Sequence, residues 1–153
     1  MTSSSAVTGD PLTLSRQAER LEESGRLAEV EQLWRGALRG PEQLARFARF
    51  RLVGLLERLG RTRDVEDVWR AAVDAGDSVA RIHLAVLMEQ HGELSTAERL
   101  WREAADAGDR RARRRLVDLL ERQGRVAEAA YVCREALTAG DGTAAARLST
   151  LLR

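Results

Sequence analysis

The hydrophobic positions of this chain recur with a period of 32 residues. In the segment 77–108, apolar side chains stand three and four positions apart, which is the spacing of a helix with one buried face. These residues are Ala80, Leu84, Leu87 and Met88. A second run in the same segment has the same spacing, at Ala97, Leu100, Trp101, Ala104 and Ala105. The segment is therefore predicted to form a pair of helices.

Glycine and aspartate mark the ends of these predicted helices. Gly92 separates the two helices and Gly108 ends the second one, since glycine takes positive φ at a helix C-terminus without strain. Asp77 and Asp109 stand before the helices that follow, where a carboxylate accepts hydrogen bonds from the free backbone N–H groups of the first turn.

The same unit occurs four times. The leucine triplet Leu52, Leu55 and Leu56 returns as Leu84, Leu87 and Met88, and then as Leu116, Leu119 and Leu120. One position of the second helix is alanine in all four copies: Ala37, Ala72, Ala104 and Ala136. Three residues before it stand Trp34, Trp69, Trp101 and Cys133. Alanine is expected where helices approach closely, and the large residues should fill the space between layers. A period of this length is typical of stacked helical units.

The first copy departs from the others at both ends. Asp10 followed by Pro11 predicts an N-cap and a first helical residue. The connection at Gly40 and Pro41 is three residues longer, so we expect the next helix to begin with an extra turn that contains Leu44.

A closing helix is predicted from about Asp141 to Leu152, with Ala144, Ala145 and Leu148 facing the stack and Arg147 facing away. Nine helices follow in total. They form a helical repeat domain of residues 10–153, preceded by a small, polar and therefore disordered tail of residues 1–9.

Charge and composition narrow the range of partners. The chain has 25 basic and 24 acidic residues, and this balance weighs against nucleic acid and membrane as partners. Every basic residue is arginine, which is typical of a high-GC genome, so we expect a bacterial source. The single cysteine, the missing signal pattern in residues 1–10 and the lack of any 18-residue apolar run favour a soluble cytoplasmic protein.

The repeated unit resembles that of tetratricopeptide-repeat (TPR) proteins. Leu84 and Ala85 are similar to the large and small residues of the family's first helix, and the matching turn and second-helix positions are Gly92, Ala97, Trp101 and Ala104. The run from Trp101 to Asp109, followed by Ala112, resembles the Sel1-like branch. The period is shorter than the family's roughly 34 residues, Gly-Asp stands where a proline is usual, and arginine replaces a first-helix tryptophan at Arg49, Arg81 and Arg113.

This resemblance implies an all-α, right-handed α-solenoid of antiparallel helix pairs, with about four repeats and a C-terminal capping helix. It also implies that a partner protein or peptide binds in a concave groove lined by the first helices. The groove positions would be Phe47, Phe50 and Arg58, then Val79, Ile82 and Val86, and finally Arg111, Arg114 and Arg122. Glu19 and Glu23 hold similar places in the first copy, so the groove would run from acidic through apolar to basic.

Two of these groups have alternative interpretations. Phe47 and Phe50 are either an aromatic anchor for a partner or packing residues against the first helix pair. The cluster Arg110–Arg115 is either a clamp for a carboxylate or phosphate or a solvated arginine surface.

Catalysis has little support in the sequence. His83 and His91 lack the spacing of metal ligands and are interpreted as ordinary surface residues, and Cys133 occupies a core position. No phosphate-binding glycine motif occurs. We therefore predict a protein that is not an enzyme, without cofactor or metal, and that acts as an interaction scaffold or adaptor. A homo-oligomeric structural module is the alternative, and nucleic-acid binding through Arg110–Arg115 is a third hypothesis.

Overall fold

The computed structural model describes residues 9–153 of the protein, and all regular structure in that range is α-helical. Nine helices follow one another: α1 (Pro11–Glu23), α2 (Leu27–Ala37), α3 (Glu42–Arg58), α4 (Thr62–Asp74), α5 (Ser78–Gln90), α6 (Leu94–Asp106), α7 (Arg110–Arg122), α8 (Val126–Thr138) and α9 (Ala144–Leu151). The all-α fold class and the nine predicted helices are confirmed. Except for Gly9, the predicted disordered tail lies outside the described residues.

Glycines in the left-handed region of φ end most of the helices, as predicted. They are Gly25, Gly60, Gly76, Gly92, Gly108, Gly124 and Gly140. At Gly92, with φ of +76°, the next N–H group (Glu93) donates to the carbonyl of Met88 over 2.8 Å. This bond satisfies a carbonyl that the end of the helix leaves free.

Aspartates cap the first helices α1, α5 and α7, also as predicted. The Oδ1 atom of Asp77 accepts hydrogen bonds from the N–H groups of Val79 and Ala80, at 2.8 and 3.1 Å. Asp10 and Asp109 cap α1 and α7 in the same way. The second helices α2, α6 and α8 instead have Arg26, Glu93 and Arg125 at the N-cap position, and none of these side chains caps its helix.

The chain divides into two compact units, of which the first ends at Val68. In this unit α2 packs against both α1 and α3, and α1 also touches α3. Trp34 is almost completely buried in its core. Helix α3 has 17 residues because it begins early, after Pro41, and its extra first turn buries Leu44 as the sequence predicted.

The second unit runs from Trp69 to Arg153. Each helix from α5 to α9 packs against the next one in the chain. The core is built from the recurring large residues, among them Leu84, Met88, Leu100, Trp101, Leu116, Leu120 and Cys133. Between Pro11 and Leu151, the structure contains no helix whose length and apolar character would suffice to cross a membrane.

The closing helix differs from its prediction in two residues. It occupies Ala144–Leu151, and Ala144 is buried as expected, but Ala145 is exposed. Arg147 does not face away from α7: its guanidinium pairs with Asp118 and Glu121 of that helix. The long side chain of Arg147 can bridge to carboxylates on α7 from a position that a short side chain would leave in solvent.

Candidate functional site

The predicted groove residues lie on three first helices. Phe47, Phe50 and Arg58 belong to α3 of the first unit. Val79, Ile82 and Val86 belong to α5, and Arg111, Arg114 and Arg122 to α7, both in the second unit. Each unit therefore has its own candidate surfaces.

The first candidate surface is an open notch on α3, which we call the Phe50 notch. It is lined by Glu22, Phe50, Arg51, Gly54, Leu55 and Arg58 and has a volume of about 250 Å³. Phe50 is 42% exposed. At Gly54 a Cβ atom would meet nothing within 4 Å, so the floor of the notch is empty because the residue has no side chain.

One wall of the Phe50 notch is an ion pair between two helices. Arg58 Nη2 lies 3.2 Å from Glu22 Oε1 of α1. Both side chains keep contact with solvent, so the pair can exchange partners at low cost. The notch thus combines an apolar aromatic face with a polar rim, which is the usual anatomy of an interface hot spot.

Phe47 lies elsewhere. Its ring makes an edge-to-face contact with the indole of Trp34 in α2, with centroids 5.8 Å apart and an interplanar angle of 75°. The guanidinium of Arg51 lies over the same indole, 5.5 Å from its centroid. These edge-to-face and cation–π contacts make Phe47 part of the packing between α2 and α3.

Helix α5 presents a partly exposed apolar stripe. Val79 is exposed, and Ile82 and Val86 are half-buried. The interpretation of His83 as an ordinary surface residue is wrong. His83 is half-buried and stacks on Trp69 with ring centroids 4.5 Å apart. The histidine therefore contributes to packing in the second unit.

Arg122, one of the predicted groove residues, is exposed but pairs with a carboxylate of another helix. Its Nη2 donates to Glu89 Oε2 of α5 over 2.6 Å. The other oxygen of Glu89 accepts a hydrogen bond from the buried indole N–H of Trp101, also at 2.6 Å. A single carboxylate thus links α5, α6 and α7, and an arginine beside it compensates its charge.

The second candidate surface surrounds Arg114, and we call it the Arg114 cavity. It is lined by Arg110, Arg113, Arg114, Val117, Cys133, Asp141, Thr143, Ala144 and Arg147. Arg111 is exposed and takes no part in it. Of the predicted groove arginines on α7, only Arg114 lines this cavity.

Buried groups around this cavity have displaced pKa values. The hydroxyl of Thr143, at 2.6 Å, and then the guanidinium of Arg113 lower the pKa of Asp141 from 3.8. Burial raises the pKa of the Cys133 thiol above 9.0, so this cysteine is protonated at neutral pH and is a poor nucleophile.

Ion pairs between successive second helices were not anticipated from the sequence. Arg61 Nη1 donates to Glu31 of α2 over 2.5 Å, and Arg125 Nη1 donates to Glu98 of α6 over the same distance. Arg61 and Arg125 each follow the turn glycine of their repeat. That recurrence was the available signal, but nothing local identifies partners 30 and 27 residues away.

Neither a metal site among the described residues nor a match to a known protein family was found. Within residues 9–153 no group of three or more histidine, cysteine or carboxylate residues is placed to hold a metal ion. No protein-family model matches the sequence, and no curated protein matches it.

Proposed function

We propose that this chain is a non-enzymatic scaffold or adaptor of the TPR or Sel1-like type, acting in the cytoplasm. In this proposal its helix pairs form a right-handed solenoid, and a partner protein or peptide segment lies along the first helices. The single observation that carries the proposal is the Phe50 notch, an exposed aromatic face beside an empty glycine floor.

The energetics favour use of the notch by a partner. Covering the exposed part of Phe50 is worth about 1 kcal/mol, given about 1.5–3 kcal/mol for complete burial of such a side chain. A helix interior also gains about 0.5–1 kcal/mol from alanine in place of glycine. Gly54 keeps the notch open although alanine would fit, so the chain forgoes stability at this position.

Equivalent positions on the other first helices carry different chemistry. Residues 32 apart correspond, so Phe50 is matched by Ile82 and then by Arg114. Gly54 is matched by Val86 and then by Asp118. The recurring residues are used for stacking, whereas these variable ones differ from helix to helix and suit recognition of a defined sequence.

The test compares proximity labelling by the wild-type chain with labelling by variants of the notch. Gly54→Leu fills the floor and Phe50→Ala removes the aromatic wall, so both should abolish labelling of the partner. Tyr131→Ala is the matched control, because Tyr131 is an exposed aromatic residue on the second helix α8. Partners labelled equally by all four proteins would refute the proposal.

Self-association is the second candidate, and two exposed leucines favour it. Leu12 of α1 and Leu152 after α9 are 60% and 61% exposed. Light scattering across a wide concentration range tests this alternative: a mass that stays at 17.0 kDa excludes it.

Nucleic-acid binding through Arg110–Arg115 is the third candidate and predicts a mobility shift that depends on salt. Because the net charge of the chain is only +1, the attraction to phosphates would have to come from this local cluster.

A further inference from the structure

The Arg114 cavity differs from the Phe50 notch in both its charge and its location. It lies wholly in the second unit, between the first turns of α7, the buried face of α8 and the start of α9. Its volume is about 60 Å³, several times the roughly 10–15 Å³ that one water molecule requires. A group of a few heavy atoms fits.

Two of its four arginines are already neutralised. Arg113 Nη1 donates to Asp141 Oδ2 over 2.9 Å, and Asp141 is only 6% exposed. Arg147 pairs with Asp118 and Glu121. The carboxylates beside these two arginines are therefore already paired with them.

Arg110 and Arg114 supply the surplus charge. Neither forms an ion pair with any carboxylate of residues 9–153, and they stand four positions apart, on the same face of α7. Arg110 acts on the buried Asp141 only at longer range, through its charge. Arg110 is also the first residue of α7, where the helix dipole makes an additional positive charge unfavourable. A bound anion would pair with both guanidinium groups and would offset the unfavourable position of Arg110 in the helix dipole.

The remaining wall is apolar. Val117, Cys133 and Ala144 are all buried and line the same space. A bare tetrahedral anion would leave this wall without contacts, whereas a carboxylate on one or two methylene groups places its oxygens on the guanidinium groups and its stem on the apolar wall.

We infer that the Arg114 cavity is a binding site for a carboxylate carried on a short aliphatic stem. Arg110 and Arg114 donate to its two oxygens, and Val117, Cys133 and Ala144 contact the stem. The carboxylate comes either from an acidic side chain of a polypeptide or from a free aliphatic acid. The site does not depend on the Phe50 notch or on a partner that binds there.

Cys133 provides the readout, because it is the only cysteine of the chain and lines the cavity at 2% exposure. A disulfide reagent reaches its sulfur only when the cavity opens. A ligand that binds the closed state slows this modification by the factor 1 + [L]/Kd. At a ligand concentration equal to Kd, the rate falls about two-fold.

Three probes are compared at equal, low ionic strength. They are glutarate, the blocked peptide acetyl-Ala-Glu-Ala-amide and inorganic phosphate. We expect slower modification of Cys133 with glutarate, with the peptide or with both. Protection by the peptide identifies an acidic side chain as ligand, and protection by glutarate alone identifies a free acid. Each result supports the site.

Matched double variants separate this site from general attraction to arginine. Arg110→Gln with Arg114→Gln should abolish protection, measured in each variant as the ratio of rates with and without ligand. Arg111→Gln with Arg115→Gln removes the same charge from exposed positions of α7 outside the cavity and should leave protection unchanged.

Calorimetric titration with the carboxylate that protects Cys133, either glutarate or the peptide, gives a second measurement that does not depend on the thiol. It should show binding to the wild type and to the Arg111/Arg115 variant only. Three results overturn the inference: no protection by either carboxylate, equal or greater protection by phosphate, or protection that persists without Arg110 and Arg114. These outcomes are independent of partner binding at the Phe50 notch.

Discussion

Two phenylalanines three positions apart on α3 have different surroundings. Phe47 makes an edge-to-face contact with Trp34, while Phe50 is exposed beside Gly54. Three residues along a helix correspond to about 300° of rotation, so neighbouring residues of one face can still lie on opposite sides of a packing boundary. At the scale of single residues, the fold therefore distinguishes a packing residue from a candidate binding residue.

Gly54→Ala should raise the free energy of unfolding by about 0.5–1 kcal/mol, because alanine restricts the unfolded chain and its Cβ meets no neighbour. Urea unfolding measures the change. Gly92→Ala is the control: at φ of +76° a Cβ atom costs about 1–2 kcal/mol, so stability should fall. A loss of stability in Gly54→Ala would contradict the open floor of the Phe50 notch.

The arginines at the predicted groove positions differ in how the structure engages them. Arg58 and Arg122 have the same place in their repeats, and both are held by carboxylates of the preceding first helix. Arg114 remains without an ion pair in residues 9–153. The long, flexible side chain of arginine reaches distant partners, and which partner it reaches depends on helix packing.

Between helices, carboxylates hold arginines from the following repeat. Glu31 of α2 is bonded to Arg61 and Arg35, and Glu98 of α6 is bonded to Arg125 and Arg102. These hydrogen bonds, first of all those from Arg61 and Arg125, hold the pKa of each glutamate below 4.5. The four arginine pairs have partly exposed members, so each contributes modestly, but two arginines on one carboxylate form a network.

Acid should therefore weaken the fold. The folded-state pKa of Glu31 and Glu98 is below the unfolded value near 4.5, so the unfolded chain binds protons first as the pH falls. Stability is complete above about pH 4.5 and is lost as the pH passes through the lower folded pKa. Urea unfolding from about pH 7 to about pH 3 measures this loss.

Glu98→Gln is the variant that tests this assignment. It should be less stable at neutral pH and should show a shallower decline in acid, because one of the depressed carboxyl groups is gone. The same substitution at Glu29, which is exposed and pairs only with Arg26 in its own helix turn, should leave the profile nearly unchanged. An identical acid profile for Glu98→Gln and wild type would contradict the role of the pair.

At the scale of the whole molecule, the charges nearly cancel. With 25 basic and 24 acidic residues, general repulsion is small, and the arrangement of pairs determines the electrostatic contribution to stability. Most of the pairs are partly exposed, and salt screens such pairs.

Sodium chloride should lower the free energy of unfolding by about 1–2 kcal/mol between about 0.1 M and about 1 M, as the screening length falls from about 10 Å to about 3 Å. Thermal unfolding followed by circular dichroism at each salt concentration checks this. Glu98→Gln with Arg125→Gln should respond less to salt than the wild type does. Stabilisation by salt would mean that repulsion within the arginine-rich surface outweighs the pairs.

The helices, their ends and their recurring core follow from the amino-acid pattern alone. These features depend on interactions within a few residues: apolar spacing along one helix, a glycine with positive φ such as Gly92, and a capping carboxylate such as Asp77. The repeat added confirmation, since the same pattern returns four times.

Which side chains are engaged and which are open depends on how the helices pack in three dimensions. The partners of Arg61, Arg122 and Arg125 lie 27–33 residues away, a distance that no local pattern encodes. The same applies to the Phe50 notch and the Arg114 cavity, because empty space depends on how several helices pack together. Periodicity determines the helices, whereas packing across them creates the two candidate sites.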